Sequence, residues 1–441
     1  MIKLIKPKER EIIIQSLRGG VVPRLGLQHI QVGRSEELKS FIKDIDTVSE
    51  GGSSFRLVVG EYGSGKTFFL SLVRNIALEK GLVTINADLS PNKRLNGTYG
   101  RVRALISELV SSMSTRTKPD GNALSLVLDR FISIAREKAE SLGISTEKVI
   151  LEKLRELNEI PTGYTFSHVI TKYWEAYNTG NDNLKEFSLK WLRGEYSMKK
   201  DAYNDLGVRD IIDDYSFFNI LRLYAEFVTK AGYKGLLVNL DEMVNLYKLT
   251  GVSRKKNYEE LLNILNNTFQ GNVENIGFIM SGTPDFLTDP YRGLYSYEAL
   301  KSRLAENSFS QKIGLVDYYS TVLRLENLTK EELFMLLKNI RHVFAKGIEK
   351  DYLLPDEALV AFMNHCSERV GSNYFRTPRN TIKGFIDLLS ILEQYPQLEW
   401  SDMIKKIEVS IDVDPSELDQ LISSSNTFTS DNDEDFASFR L

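Results

Sequence analysis

The sequence predicts an α/β protein: a parallel sheet with flanking helices, a long helical insertion and an α-helical C-terminal lid. Three stretches predict it. Gly60-Glu61-Tyr62-Gly63-Ser64-Gly65-Lys66-Thr67 fits G-x-x-x-x-G-K-[ST]. Residues 55–59 before it read as a buried strand, and 68–73 after it as a helix. Gly235-Leu236-Leu237-Val238-Asn239-Leu240-Asp241-Glu242 is an apolar run ending in two acids, and 275–284 is a second run ending in small polar residues. Strands that finish in polar residues suit a doubly wound sheet, whose carboxyl ends face the ligand.

The spacing of the glycine-rich stretch has a chemical reason. A triphosphate needs several backbone N–H groups aimed at one place, and glycines let the chain curl closely around it. Gly60, Gly63, Ser64, Gly65 and Phe68 would form or flank that cradle. Lys66 can reach the β- and γ-phosphates, Thr67 can offer its hydroxyl to Mg²⁺, and the following helix adds its positive end. A chance glycine turn is the competing reading, and the strand–loop–helix context weighs against it.

Adjacent acids at the end of a buried strand must stay near water or a cation. Beside a phosphate-binding loop, Asp241 would hold Mg²⁺, directly or through water, and Glu242 would polarise the attacking water. An exposed loop pair is the bland alternative.

Composition bounds the rest. The chain has 441 residues, 42% hydrophobic and 26% charged, with a formal net charge of −4. That length suits one large nucleotide-binding domain and one or two smaller ones. The charge argues against a protein that coats DNA generally, without excluding a local basic face. One cysteine, Cys366, gives no disulfide framework and no thiolate cluster, and His29, His168, His342 and His365 lack metal-ligand spacing. No apolar run approaches the roughly 20 residues that span a bilayer. A soluble, cytoplasmic protein with no membrane partner is expected.

Along the chain, 9–17 reads as a short amphipathic helix ended by Gly19-Gly20, and Gly33-Arg34 as a turn opening a helix. Residues 83–87 read as a strand ending at Asp88. About 115 residues, from roughly 98 to 216, then precede the next strong strand, more than a plain α/β connection needs. Helical patterns at 102–113, 124–142, 146–159, 166–177 and 184–191 make this an insertion. Its aromatics, Tyr173, Trp174, Tyr177, Trp191 and Tyr196, are expected to form the insertion's own core rather than a stacking surface for single-stranded nucleic acid. A helix at 214–230 leads to the acid-ending strand. Arg254-Lys255-Lys256 reads as a loop beyond it, either a solvated face or a nucleic-acid contact. Residues 299–304 read as a helix and 323–325 as the last strand. A helix start follows, with Thr329 three residues before Glu332. Helices are expected at 331–344, 355–371, 379–393 and 400–407. The tail, 423–441, is rich in Ser, Asn and Asp and ends in two aromatics and a leucine, which suggests a mobile segment that docks onto a partner or back onto the body, or else a terminus that does nothing. The division expected is 1–50 as a segment contacting the nucleotide site, 51–325 as the core, 326–410 as the lid and 411–441 as an acidic tail.

The segments "LRGGVVPR", "VGRSEEL", "GEYGSGKTFFL", "ADLSPNKRL" and "DFASFRL" resemble the ATP-binding proteins of BREX phage-defence systems, in particular the BrxD type, which groups with origin-recognition-like AAA+ ATPases. The resemblance covers nearly the whole chain. It implies an AAA+ type core in which Gly33, in "VGRSEEL", lies against the adenine. Ser281 or Thr283 would be the polar residue between the acids and the γ-phosphate, although the asparagine usual in that branch is absent. Arg303 would act on a neighbouring subunit's nucleotide, or else be a surface arginine. Arg379, following Arg376-Thr377-Pro378, would be the lid arginine that senses the γ-phosphate, or else cap local structure. ATP-driven work against phage DNA is implied, alongside partners such as a helicase, with a homo-oligomer as the active form if Arg303 acts in trans.

Two functions follow from these readings. One is an Mg²⁺-dependent ATPase acting on DNA or on a DNA-processing partner. The other is a nucleotide-gated scaffold with slow turnover that recruits proteins. Glu242 favours the first, because a pure binder needs no water-polarising acid.

Overall fold

Five apolar runs become five strands: β1 (Ser53–Val59), β2 (Val83–Asp88), β3 (Leu236–Asp241), β4 (Ile276–Gly282) and β5 (Val322–Arg324). They form one sheet in the order β2-β3-β4-β1-β5, every neighbouring pair parallel. The structure, a computed structural model, describes residues 5–370 and 378–408. Arg376, Thr377 and the aromatic tail lie outside the described residues. The chain divides into two units, Val22–Asn327 and a second made of Met1–Val21 with Leu328–Leu441. Helix α1 (Pro7–Arg18) belongs to the second unit, so residues 1–50 divide between the two.

In the sheet unit, α2 (Ser35–Ser49) and α3 (Lys66–Glu79) cover one face. Residues alternate across a strand with period two. Phe55, Leu57 and Val59 of β1 therefore join one core, and Val58 joins the other. The same alternation puts Val83, Ile85 and Ala87 with Leu236, Val238 and Leu240 in the larger core. Their neighbours Thr84, Asn86 and Asp88, and Leu237, Asn239 and Asp241, then take the α3 face. That face is apolar midway and polar toward the strand ends.

The insertion holds α4 (Arg101–Ser111), α5 (Leu124–Leu142), α6 (Thr146–Leu154), α7 (Gly163–Thr179), α8 (Asp182–Leu192) and α9 (Lys199–Leu206). It does not build a core of its own, as the sequence suggested. Its buried residues are continuous with the sheet's larger core, because α10 (Phe217–Lys230) has a broad apolar face, interrupted by the polar stripe of Asn219, Arg222, Glu226 and Lys230, and joins the two. Phe218 of α10 stacks on Phe278 of β4, with centroids 6.5 Å apart. Tyr224 and Phe227 meet Phe166 of α7 at 5.2 and 5.9 Å. Of the aromatics singled out, Tyr173, Trp191 and Tyr196 are buried, Trp174 is partly buried and Tyr177 is exposed.

Short α11 (Val244–Tyr247) and long α12 (Gly251–Phe269) follow β3. Arg254-Lys255-Lys256 thus lies in the opening turns of a helix, not in a loop. The reason is the apolar stripe downstream, with Tyr258, Leu261, Ile264 and Leu265 buried at helical spacing. Short helices α13 (Pro284–Thr288), α14 (Glu298–Arg303) and α15 (Ser308–Lys312) lead to β5.

The second unit is helical: α1, α16 (Lys330–Phe344), α17 (Asp356–Val370), α18 (Pro378–Gln394) and α19 (Trp400–Ile404). The capping box at Thr329 and Glu332 is formed as the sequence predicts. Arg10 of α1 donates from Nε to the Phe344 carbonyl at 2.8 Å, lies over the Phe344 ring and pairs with Glu393 of α18 at 3.2 Å. No helix of the described residues is long and apolar enough to cross a membrane.

Candidate functional site

The loop between β1 and α3 leaves little choice of residue. A Cβ on Gly60 would lie 2.4 Å from Ser64 Oγ and 2.9 Å from the Leu325 carbonyl oxygen, contacts no side chain survives. Gly65, the N-cap of α3, has φ 87°, a left-handed conformation that glycine adopts without strain. Lys66 Nζ donates to the carbonyls of Gly60 and Glu61 at 2.9 and 2.8 Å, so the lysine lies along the loop it follows. Ser64 Oγ is buried with no partner. An orphaned hydroxyl beside the N–H groups that open α3 suits an anion.

Across the sheet, Thr67 Oγ1 donates to Asp241 Oδ2 at 2.8 Å. Ser281 Oγ donates to the other oxygen, Oδ1, which also accepts the Glu242 N–H at 2.8 Å. The strand order explains the meeting. β4 lies between β1 and β3, so Ser281 at the end of β4 reaches the acid ending β3, which Thr67 of α3 also holds. The structure thus brings Lys66, Thr67, Asp241, Glu242 and Ser281 into one neighbourhood. Thr283 instead caps α13, accepting from the Phe286 N–H at 3.4 Å.

Asp88 completes the acidic edge. In the β2–β3 register Asn86 pairs with Asn239 and Asp88 with Asp241. Like charges directly opposite on neighbouring strands repel. The Asp88 carboxyl is held above its ordinary range by crowding of protein around it, then by Asp241 and Glu108, with Lys93 opposing. Glu242 is also raised, first by desolvation, then by Asp241, with Lys66 opposing. A cation at this edge would relieve both. With Thr67 Oγ1 and Asp241 as hard oxygen donors, the residues present fit Mg²⁺, which is held through few protein ligands and several waters. The sequence pointed to Asp241 and not to its partnership with Asp88, since the register joins segments about 150 residues apart. Two N-x-D endings, Asn86-Ala87-Asp88 and Asn239-Leu240-Asp241, were the available signal.

Gly33 and Arg34 both have left-handed φ, 59° and 61°. Arg34 pairs with Glu37 at 3.2 Å and donates to the Glu326 carbonyl. Leu325, next in line, donates to the Val59 carbonyl at 2.7 Å. The Gly33 turn is thereby tied to the segment that flanks the start of the loop. Arg303 donates to Asn266 Oδ1 at 2.6 Å and to the Ala299 carbonyl at 2.8 Å, both within its own chain. Arg379 lies on α18 in the helical unit, where its side chain packs beside Gly20. Arg254 of the basic run donates to the Leu249 carbonyl, while Lys255 and Lys256 are exposed.

No curated protein matches this chain. A family model described as BREX system ATP-binding protein BrxC/D matches residues 5–408. With a parallel sheet whose glycine loop, threonine and paired acids suit a nucleotide and its metal, the chain belongs to the family of BREX system ATP-binding proteins BrxC/D.

Proposed function

We propose that this protein is an Mg²⁺-dependent ATPase of the origin-recognition-like AAA+ type and of the BrxD kind. It would act in phage defence on DNA or on a DNA-processing partner such as a helicase. The observation that carries the proposal is the Thr67–Asp241–Ser281 chain at the mouth of the loop, with Glu242 next in sequence. Gly60, Gly63, Ser64, Gly65 and Phe68 form and flank the phosphate cradle, and Gly33 lies against the base. Lys66 leaves the loop carbonyls for the β- and γ-phosphates. Thr67 and Asp241 hold Mg²⁺, which when bound offsets the charge of the β- and γ-oxygens. Ser281 fixes the rotamer of Asp241 from the side facing the γ-phosphate, and Thr283 holds the strand end as a cap.

Glu242 orients the water. The water oxygen bonds to the γ-phosphorus and the bond to the β,γ-bridging oxygen breaks. ADP keeps that oxygen and its electron pair, and one water proton passes toward the Glu242 carboxylate. The helical unit serves as the lid, with Arg379 sensing the γ-phosphate. Arg303 serves a neighbouring copy once it leaves Asn266, and such an arginine accelerates hydrolysis by about 10³ to 10⁵.

Steady-state hydrolysis with and without single- and double-stranded DNA, against Glu242→Gln, tests this. DNA-stimulated turnover above the variant supports an ATPase that works on DNA. Tight ATP binding with turnover no better than the variant supports the scaffold reading, which the internal bonds of Arg303 favour for an isolated monomer.

A further inference from the structure

Two stretches of the sheet unit carry cations and no acids. Leu89 to Ser107, which leaves β2, holds Lys93, Arg94, Arg101 and Arg103. Met243 to Tyr258, which leaves the acid-ending β3, holds Lys248, Arg254, Lys255 and Lys256. The fold joins the two across 161 positions of sequence. Asn257 Oδ1 accepts the Asn96 N–H at 2.9 Å, and its Nδ2 donates back to the Asn96 carbonyl at 2.9 Å. Arg94 donates to Ser253 Oγ at 3.2 Å, and Asn245 to the Leu89 carbonyl at 2.8 Å. Every acceptor in this joint is neutral, so the cations it gathers keep their charge.

Helix geometry decides which cations share the joint. Ser253 and Asn257 meet it from one side of α12. At about 100° per residue, Lys256 flanks that side, about 80° round, while Lys255 lies about 180° away. Arg254 turns back to the Leu249 carbonyl. Among the described residues, the side chains of Arg101 and Lys256 have no ion pair or hydrogen bond. Burial first, and Arg101 second, hold the Arg94 guanidinium below its ordinary pKa. Two like charges are thus kept close, a cost that an anion beside them removes. The adjoining carboxylates are engaged elsewhere. Glu108 pairs with Lys93. Asp214 accepts the N–H groups of Gly100, Val102 and Arg103, and Asp213 accepts that of Tyr215. Glu260 is hydrogen-bonded to Asn263, and Glu259 lies on the Lys255 side.

Asp214 also fixes two tyrosines. Tyr99, just before the turn that Asp214 caps, is 94% exposed and has φ 61°, a strained backbone for a bulky residue. The Arg101 guanidinium lies 5.9 Å from its ring centre. Tyr215, next to Asp214, is 85% exposed. Rings held out into water beside guanidinium groups suit unpaired bases, whose faces stack while their phosphates meet the cations. An acidic peptide would meet the cations and leave the rings bare, and paired bases offer no free face. We propose that Tyr99, Tyr215, Arg94, Arg101 and Lys256 form a binding surface for single-stranded DNA. The choice of DNA rests on the functional reading above.

The test titrates the full chain, without ATP, into fluorescein-labelled oligo-dT of about 16 nucleotides across a salt series, read by anisotropy. Tyr99→Ala weakens binding about fivefold or more, the loss of one stacked base, and Tyr99→Phe keeps it. Arg101→Gln and Lys256→Gln each lower the salt slope by about 0.7, one phosphate contact on a single strand. Lys255→Gln makes the same charge change on the far side of α12 and alters neither affinity nor slope. With a dA·dT duplex, Tyr99→Ala changes nothing. None of these side chains bonds within the joint, so each variant keeps the wild-type melting temperature. No binding of oligo-dT by the wild type overturns both the surface and the DNA reading. Binding that Tyr99→Ala, Arg101→Gln and Lys256→Gln all leave intact overturns the surface and leaves the DNA reading standing. Equal losses in Lys255→Gln and Lys256→Gln reduce the surface to general charge attraction and overturn it as a site. Poly-glutamate that competes as well as oligo-dT, with Tyr99→Ala silent, overturns the nucleic acid in favour of an acidic protein.

Discussion

Glu242 sits in a left-handed backbone conformation, φ 56°, which costs a non-glycine residue about 1 to 2 kcal/mol. Its carboxyl is also raised by desolvation and by Asp241. Both costs fall on the residue assigned to the attacking water, which fits strain stored at a working site. Glu242→Gly should raise stability by about 1 kcal/mol in denaturant titrations, by removing the backbone strain. Turnover should fall by about 10² to 10⁴, the range for a lost base. Glu242→Gln keeps the strain and removes the charge. A folded carboxyl raised above its ordinary 4.5 binds protons more readily than the unfolded chain does. Its ionisation therefore lowers stability as pH rises from that value through the raised one. Glu242→Gln should melt higher than wild type at neutral pH without Mg²⁺, and the difference should vanish as pH falls below 4.5. Mg²⁺ alone should raise the melting temperature of the wild type. Asp241→Asn should abolish that shift and Asp88→Asn should reduce it. An unchanged Mg²⁺ response in Asp241→Asn would remove the aspartate from the metal site. At this scale the glycine loop and the acids were legible, because each is a local pattern with a chemical reason. The partnership of Asp88 with Asp241 was not, because it comes from strand register.

Among the elements, α10 decides how the insertion relates to the sheet. Phe227 touches Phe131 at 5.2 Å and Phe166 at 5.9 Å. Phe166→Ala should cost about 3 to 5 kcal/mol, as for a large aromatic lost from a packed core. If the loss is under about 1 kcal/mol in urea titration, the shared core is not what supports the insertion. In the helical unit, Thr329→Ala removes a formed capping box and should cost about 1 kcal/mol. Most of the longer helices were readable from apolar spacing, while α9, α12 and the short α11, α13 and α15 were not. Other misreadings were of association. An aromatic-rich insertion looks self-sufficient in sequence, since nothing local says that α10 is apolar on two sides for two different neighbours. The helix carrying Arg254-Lys255-Lys256 was hidden by its polar first turns, with the apolar stripe beginning only at Tyr258.

At the scale of the whole molecule, the helical unit is discontinuous in sequence. Ile13 and Ile14 of α1 are buried, and α1 packs on α16 and α18. Removing residues 1–21 should therefore speed hydrogen exchange in α18 by more than tenfold, about 1.4 kcal/mol of local stability, while β1 to β4 stay protected. Equal loss of protection in the sheet would mean that the two units do not fold separately. The general α/β class was legible because five strands and their polar ends repeat one rhythm. The grouping of α1 with helices more than 300 residues later was not, because no periodicity reports a partner.

That grouping also sets an order of events during synthesis. Helix α1 leaves the ribosome before its partners, since α16 begins at Lys330, 312 residues after Arg18 ends α1 (330 − 18). At roughly 5 to 20 residues per second, the helix waits about 15 to 60 s for its partners. The sheet unit, complete at Asn327, has that time to fold around the glycine loop first. In the nascent chain α1 is an unpaired amphipathic segment, kept in solution by its own charges, Lys8, Glu9, Arg10, Glu11 and Arg18. Its apolar side is then open to a chaperone until α16 and α18 emerge.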